Sequence, residues 1–240
     1  LAANLANAQT TGFKRSRAVF EDLLYQNVSQ VGGATSQDTQ APSGLSLGTG
    51  VRVVATEKTY TQGNLSQTGN SLDLAINGRG FFQVLLPDGT LGYTRAGDFQ
   101  LSNQGQLVTS SGYVVQPGIN IPSGAQSVTV GSDGVVSVQL AGQSAPSQVG
   151  SLQLVDFVNS AGLQPRGENL LVESAASGTA QSGNPGQSGL GLLEQGAIES
   201  SNVNVVEEMV NMIETQRAYE MNTKAIQTAD QMLQYLSNNV

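Results

Sequence analysis

Cysteine, histidine and tryptophan are absent from this 240-residue chain, and aromatic side chains make up only 5% of it. Without cysteine there is neither a disulfide nor a thiolate nucleophile. Without histidine the chain lacks the commonest general base and, together with cysteine, the usual ligands of zinc. Positive charge is also scarce: 10 Lys and Arg stand against 18 Asp and Glu, a net charge of -8. The one basic cluster is Lys14, Arg15 and Arg17, too small a footprint for a polyanion, so nucleic acid is not an expected partner. No apolar run approaches the ~20 residues of a membrane span and no secretory signal pattern is visible, so direct membrane insertion is not expected.

Between residues 96 and 165 there is no Lys or Arg, and the only acids are Asp98, Asp133 and Asp156. A surface built there from Ser, Thr, Gln, Asn and Gly is short of the charges that keep monomers apart, which suits packing in an assembly. Composition alone is equally compatible with a neutral soluble β domain. The 38% hydrophobic content suffices for one or two modest cores.

Catalytic patterns are sparse. The carboxylate pairs Glu21/Asp22 and Glu207/Glu208 fall where helix N-termini favour negative charge, a commoner role than acid-base work. Gly78-Arg79-Gly80 and Gly189-Leu190-Gly191 lack a third glycine, and no Gly-Lys-Ser/Thr phosphate loop exists. No spacing of acids resembles a calcium loop. The expectation is a protein without catalytic residues, cofactor or metal.

Strand signals dominate the middle. Val51, Val53 and Ala55 begin them, and Phe81 to Leu86, the turn Pro87-Asp88-Gly89 and Leu91 to Thr94 read as a hairpin. Phe99 to Leu101 and Gln106 to Val108 flank Ser102-Asn103-Gln104-Gly105, and Ser127 to Val130 and Val135 to Val138 flank Gly131-Ser132-Asp133-Gly134. A last strand covers residues 151–157, followed by a loose region over 174–190. Successive hairpins favour an antiparallel β sandwich or barrel over a parallel sheet. Residues 21–26 fit a short helix or a strand equally. Residues 27–50, rich in Gly, Ser, Thr and Gln, read as a loop whose length favours a functional or partner-ordered segment. Phe13 and Phe20 call for burial.

Helical patterning marks both ends. A first helix is expected to end near Ala8, with Gly12 where the chain turns out of it. Leu1 and Leu5, in i, i+4 register, predict that this helix continues upstream of Leu1. The small residues Ala2, Ala3, Ala6 and Ala8 beside the amides of Asn4 and Asn7 permit close helix approach, or simply mark a solvated helix end. Asn204 followed by Glu207 resembles a capping box, and no Gly or Pro follows. From there Val205, Met212, Tyr219, Ile226 and Leu233 recur every seventh residue, a stripe ~42 Å long at about 1.5 Å per residue. Its flank drifts from Val206, Val210 and Ile213 to Ala225, Ala229 and Leu236, which no single straight partner covers. The expected organisation is a helix end over residues 1–12, an extended segment over 13–58, a β domain over 59–195 and a C-terminal coiled-coil helix over 196–240.

Ala3-Asn4-Leu5-Ala6-Asn7 followed by Thr11-Gly12-Phe13-Lys14 resembles the signature of flagellar rod and hook proteins. Ser201-Asn202-Val203-Asn204 through Gln216-Arg217-Ala218-Tyr219-Glu220 resembles the C-terminal helix of the same family. Gly63-Asn64-Leu65-Ser66-Gln67-Thr68, Gly78-Arg79-Gly80-Phe81-Phe82 and Tyr93-Thr94-Arg95 also resemble shared motifs, so the likeness spans the chain. It implies export by the flagellar type III apparatus and helical polymerisation, with paired terminal coiled-coil helices inside a tube and β domains outside. Residues 20–58 resemble the insertion that separates distal-rod members from hook members and is credited with holding the tube straight. Asn27, Gly32, Gly33, Pro42, Leu45, Leu47 and Thr49 are its candidate rigidity residues.

The resemblance thus implies a structural subunit of the distal rod, in the periplasm-spanning basal body, carrying torque from motor to hook. Implied partners are further copies of the chain, the proximal rod proteins, the hook protein and the surrounding ring proteins. Candidate interface residues are Leu1, Asn4, Leu5, Asn7, Phe13, Val205, Met209, Met212, Tyr219, Ile226, Ala229, Leu233 and Leu236. The alternatives are a hook-like adaptor of the same family and, remotely, a β-rich cell-wall hydrolase.

Overall fold

The computed structural model describes residues 1–29, 34–36, 39–40, 45–143 and 145–238. It divides into two compact units, one of Leu1–Arg15 with Tyr60–Val240 and one of Ser16–Thr59.

In the larger unit the Phe81–Leu85 strand is the axis of a nine-stranded antiparallel sheet. The hairpin partner Leu91–Thr94 lies along one side of it, and Val114–Gln116 and Leu154–Asp156 share the other side end to end. The predicted turn closes this hairpin, with Gly89 at φ 80° donating its N–H to Leu86 O at 2.9 Å. A positive φ there is available to glycine at no steric cost.

Successive strand residues face opposite sides of a sheet, so the tandem Phe81-Phe82 serves two cores. Phe82 packs with Val84, Leu154 and Phe99 in the larger core, which also takes Val136 and Val138 from the three-stranded sheet Ala125–Val130, Val135–Leu140 and Ser147–Ser151. Phe81 packs with Tyr93, Val155, Phe157, Leu163 and Leu171 in the second. There Tyr93 and Phe157 meet edge to face with centroids 4.8 Å apart, the arrangement that ring quadrupoles prefer.

The protein is therefore mainly β with antiparallel hairpins. No barrel closes among the described residues: the nine-stranded sheet runs from an edge at Gln100–Leu101 to one at Gln164–Gly167. The three hairpins expected from the sequence form with the predicted strands paired. The region expected to be loose contains a strand, Gln181–Gly183, held by pairing to Leu154–Asp156. Backbone pairing there needs no apolar pattern, which is why the sequence does not advertise it.

Helix α1 (Ala2–Ala6) is only five residues long, shorter than the end near Ala8 that the sequence suggested. Helix α2 (Val205–Asn238) runs 34 residues, ~51 Å at about 1.5 Å per residue. The Asn204 side-chain oxygen accepts from the N–H groups of Val206 at 3.1 Å and Glu207 at 3.4 Å, capping α2 as its sequence predicts.

The smaller unit is built on an antiparallel ribbon of Ser16–Asp22 and Val51–Lys58 with a register shift between Val19 and Phe20. Tyr25–Ser29 pairs Leu45–Gly48, and Ala34–Ser36 pairs Thr39–Gln40. The undecided segment 21–26 thus falls in two strands joined at Leu23-Leu24, and within 27–50 the described stretches 27–29, 34–36, 39–40 and 45–48 belong to paired strands rather than loop. A two-stranded ribbon has no buried face to impose alternation on its sequence, so it reads as a loop. Phe20 is 63% exposed, a correction to its expected burial: among the described residues of this unit no second layer covers the ribbon. Gly32, Gly33 and Pro42 lie outside the described residues.

Candidate functional site

Between the end of α1 and the start of α2, four segments distant in sequence converge on one carboxylate. The Ala197–Glu199 strand pairs with Leu65–Gln67 and turns Ala197 and Glu199 inward. The Glu199 side chain is 0% exposed. Its Oε1 accepts from Lys14 Nζ at 2.6 Å and from the Gly63 N–H at 2.8 Å, while Oε2 accepts from Arg95 Nε at 2.7 Å. Lys14 also donates to Thr61 O at 2.8 Å. The Arg95 guanidinium donates to the carbonyls of Gly78 at 2.9 Å and Gly80 at 2.6 Å. Both cations are nearly enclosed, with Lys14 5% and Arg95 6% exposed.

The electrostatics follow from this enclosure. Burial by itself raises the Glu199 pKa, but the Arg95 and Lys14 charges and their hydrogen bonds outweigh it and hold the carboxyl below its ordinary value. For Lys14, burial pushes the ammonium down against the opposing pull of Glu199. A buried, fully bonded ion cluster contributes less to net stability than its distances suggest, yet losing one partner strands the others in a low-dielectric site.

The backbone closes around the same point. The Gly12 N–H donates to Glu199 O at 2.7 Å and the Asn202 N–H to Phe13 O at 3.3 Å. The Arg15 N–H reaches Asn202 Oδ1 at 2.7 Å. Residues 12–15 therefore zip beside residues 199–202. Gly12 sits at φ 67°, and a Cβ there would lie 2.5 Å from Ala96 N and 2.6 Å from the Arg95 carbonyl carbon. At Gly63 a Cβ would lie 2.0 Å from Ser200 O. Only glycine permits either approach.

One step along, Asn4 on α1 donates from Nδ2 to Glu208 Oε1 on α2 at 3.1 Å, with both residues buried. The Glu207 carboxylate, expected to complete a capping box, lies 3.1 Å from Arg15 Nη1. Carboxylate binding at this helix start also complements the α2 dipole.

The candidate residues named from the sequence divide by position. Asn4 is buried, and Leu5, Asn7, Phe13 and Met212 are half-buried. Leu1, Val205, Met209, Tyr219, Ile226, Ala229 and Leu233 are exposed, as are Leu47 and Thr49 in the smaller unit. The Thr49 hydroxyl donates to Leu24 O at 2.8 Å. The side chain of Leu236 lies outside the described residues, and Asn27 and Leu45 are described in their strands alone. The quoted motifs are brought together: Gly12, Lys14, Gly63 and Arg95 meet at Glu199, and Gly78 and Gly80 accept from the Arg95 guanidinium. Sequence reasoning missed Glu199 itself. Its signal was an acid two residues after Ala197, in phase with an inward-facing strand position. Among the described residues no cluster of three or more acidic side chains could hold a metal, and no helix is long and apolar enough to cross a membrane.

The pattern of the flagellar hook protein FlgE/F/G D1 domain matches residues 75–138, and that of the flagellar basal body rod FlgEFG protein C-terminal matches residues 194–239. The flagellar basal-body rod protein FlgG of Buchnera aphidicola subsp. Schizaphis graminum is 61% identical over 98% of this chain and 90% of its own length. The FlgG proteins of Caulobacter vibrioides and Bacillus subtilis are 48% and 41% identical, each over 98% of this chain and 90% of its own length. These matches extend from the Gly12 and Lys14 segment through the Arg95 sheet to Glu199 and α2. The chain belongs to the flagellar basal-body rod protein family, whose role is structural rather than enzymatic.

Proposed function

We propose that the chain is a structural subunit of the distal rod, assembling with further copies into a straight helical tube through the periplasm that carries torque from motor to hook. The single observation that carries this reading is the bare apolar stripe of α2. Val205, Tyr219, Ile226 and Leu233 of the seven-residue stripe are exposed, as is the neighbouring Met209, and only Met212 is half-buried on this helix of 34 residues. An amphipathic helix of this length draws most of its stability from packing, and neighbouring helices are the natural cover. The stripe pairs with the helices of adjacent copies, as a coiled coil on the inside of the tube. The β unit then lies outside, and the Glu199 junction sets where each pair of terminal helices departs from it.

Proximal rod proteins, hook protein and the enclosing rings are the neighbours along and around such a tube. In this reading the segment 13–58 lies against adjoining copies and limits their sliding. Deleting residues 27–49 tests it: electron microscopy should show rods that still form but bend. Rods as straight as wild type would remove the mechanical role of the segment, and an unfolded monomer would make it part of the core.

A further inference from the structure

The Glu199 junction encloses two cations and one anion, so one positive charge is left uncompensated where water is scarce. A cleft of about 280 Å³ borders this surplus, with Lys14, Tyr60, Gln62, Arg79, Arg95 and Asp156 among its walls. Asp156 is already engaged, 2.8 Å from Arg79, whose guanidinium is 70% exposed. The Tyr60 hydroxyl, shielded from solvent, has no hydrogen-bond partner among the described residues. With Lys14, Arg79 and Arg95 set against Asp156 and Glu199, the described residues of the cleft and its floor carry one positive charge more than their acids balance.

We propose that this cleft receives the carboxylate of an Asp or Glu side chain from a second copy of the chain, with Arg79 as the exposed arm that meets it. The proposal rests on the reading of the chain as a self-assembling rod subunit. Three features favour this occupant. The volume suits a single acidic side chain rather than a folded element. A guanidinium presents a fork that matches a carboxylate. Finally, with 18 acids against 10 basic residues, copies repel one another on average, so an assembly gains where an acid of one meets a cation of the next.

The test uses basal bodies isolated from cells carrying R79K in half the copies and an epitope tag on the other half, treated with a water-soluble carbodiimide that joins amines to carboxylates in contact. The expected result is a tagged dimer whose mass spectrum places the amide between position 79 of one copy and an Asp or Glu of another. Coupling only to Asp156 of the same chain, coupling to a different protein, or no dimer overturns the proposal. In a second arm, R79Q should leave the urea unfolding midpoint of the monomer unchanged while lowering the yield of rods at least about tenfold. A wild-type yield of rods from R79Q overturns it as well. Whether the unsubstituted chain enters rods at all tests the rod reading separately.

Discussion

Lys14 and Glu199 are 185 positions apart in the chain, yet Lys14 Nζ lies 2.6 Å from Glu199 Oε1. The contact joins the segment that follows α1 to the strand that precedes α2. Because Arg95 grips the other oxygen of the same carboxylate at 2.7 Å, the two chain ends are fixed to the β unit as well as to each other.

Glu199→Gln keeps the shape of the side chain but removes the negative charge that Lys14 and Arg95 both bind. The expected loss is about 3–5 kcal/mol of unfolding free energy, since two desolvated cations are left facing each other. Urea denaturation of the variant measures it. A loss below about 1 kcal/mol would mean that the cations find water or other partners easily.

The junction also has a pH signature. The Glu199 pKa is held below its usual value in the folded chain, so its contribution is complete above the ordinary carboxylate range and is lost as pH falls through the depressed value. Unfolding free energy of the wild type should therefore decline on acidification below about pH 4.5. In Glu199→Gln that part of the decline should be missing, and parallel pH profiles for the two proteins would rule out the carboxylate as its source.

Gly12→Ala introduces a Cβ 2.5 Å from Ala96 N at a φ of 67°. Strain and displacement together should cost about 1–3 kcal/mol, appearing as earlier thermal unfolding. Hydrogen exchange should speed up at the N–H groups of Gly12 and Asn202, which hold residues 12–15 against 199–202. An unchanged melting temperature would show that the two segments separate without consequence.

Ile226→Asp and Leu233→Asp bear on the exposed stripe rather than the junction. Both side chains are exposed in the single chain, so the monomer should retain its β unit and its melting temperature. If the stripe is buried between helices in the rod, a charge there costs several kcal/mol of packing, and motility and rod formation should both be lost. Motile cells carrying either variant would contradict that placement.

The hairpins and the long helix were legible because local chemistry determines them. Pro87, Asp88 and Gly89 close a turn in any context that lets their strands pair, and Asn204 caps α2 with its own side chain. The absence of His and Cys likewise narrows the chemistry the chain can do. What the sequence did not reveal was set by long-range pairing. The strands Tyr25–Ser29 and Leu45–Gly48 read as loop because a two-stranded pair without a covered face needs no alternation. The strand at Gln181–Gly183 exists because Leu154–Asp156 offers it an edge. Most of all, a Glu near position 199 looks like any surface acid until Lys14, Gly63 and Arg95 close around it. Periodicity and turn chemistry act over a few residues, so they determine elements. Which charge meets which across 185 positions is decided only when the sheets pack and exclude the water that would otherwise keep those charges apart.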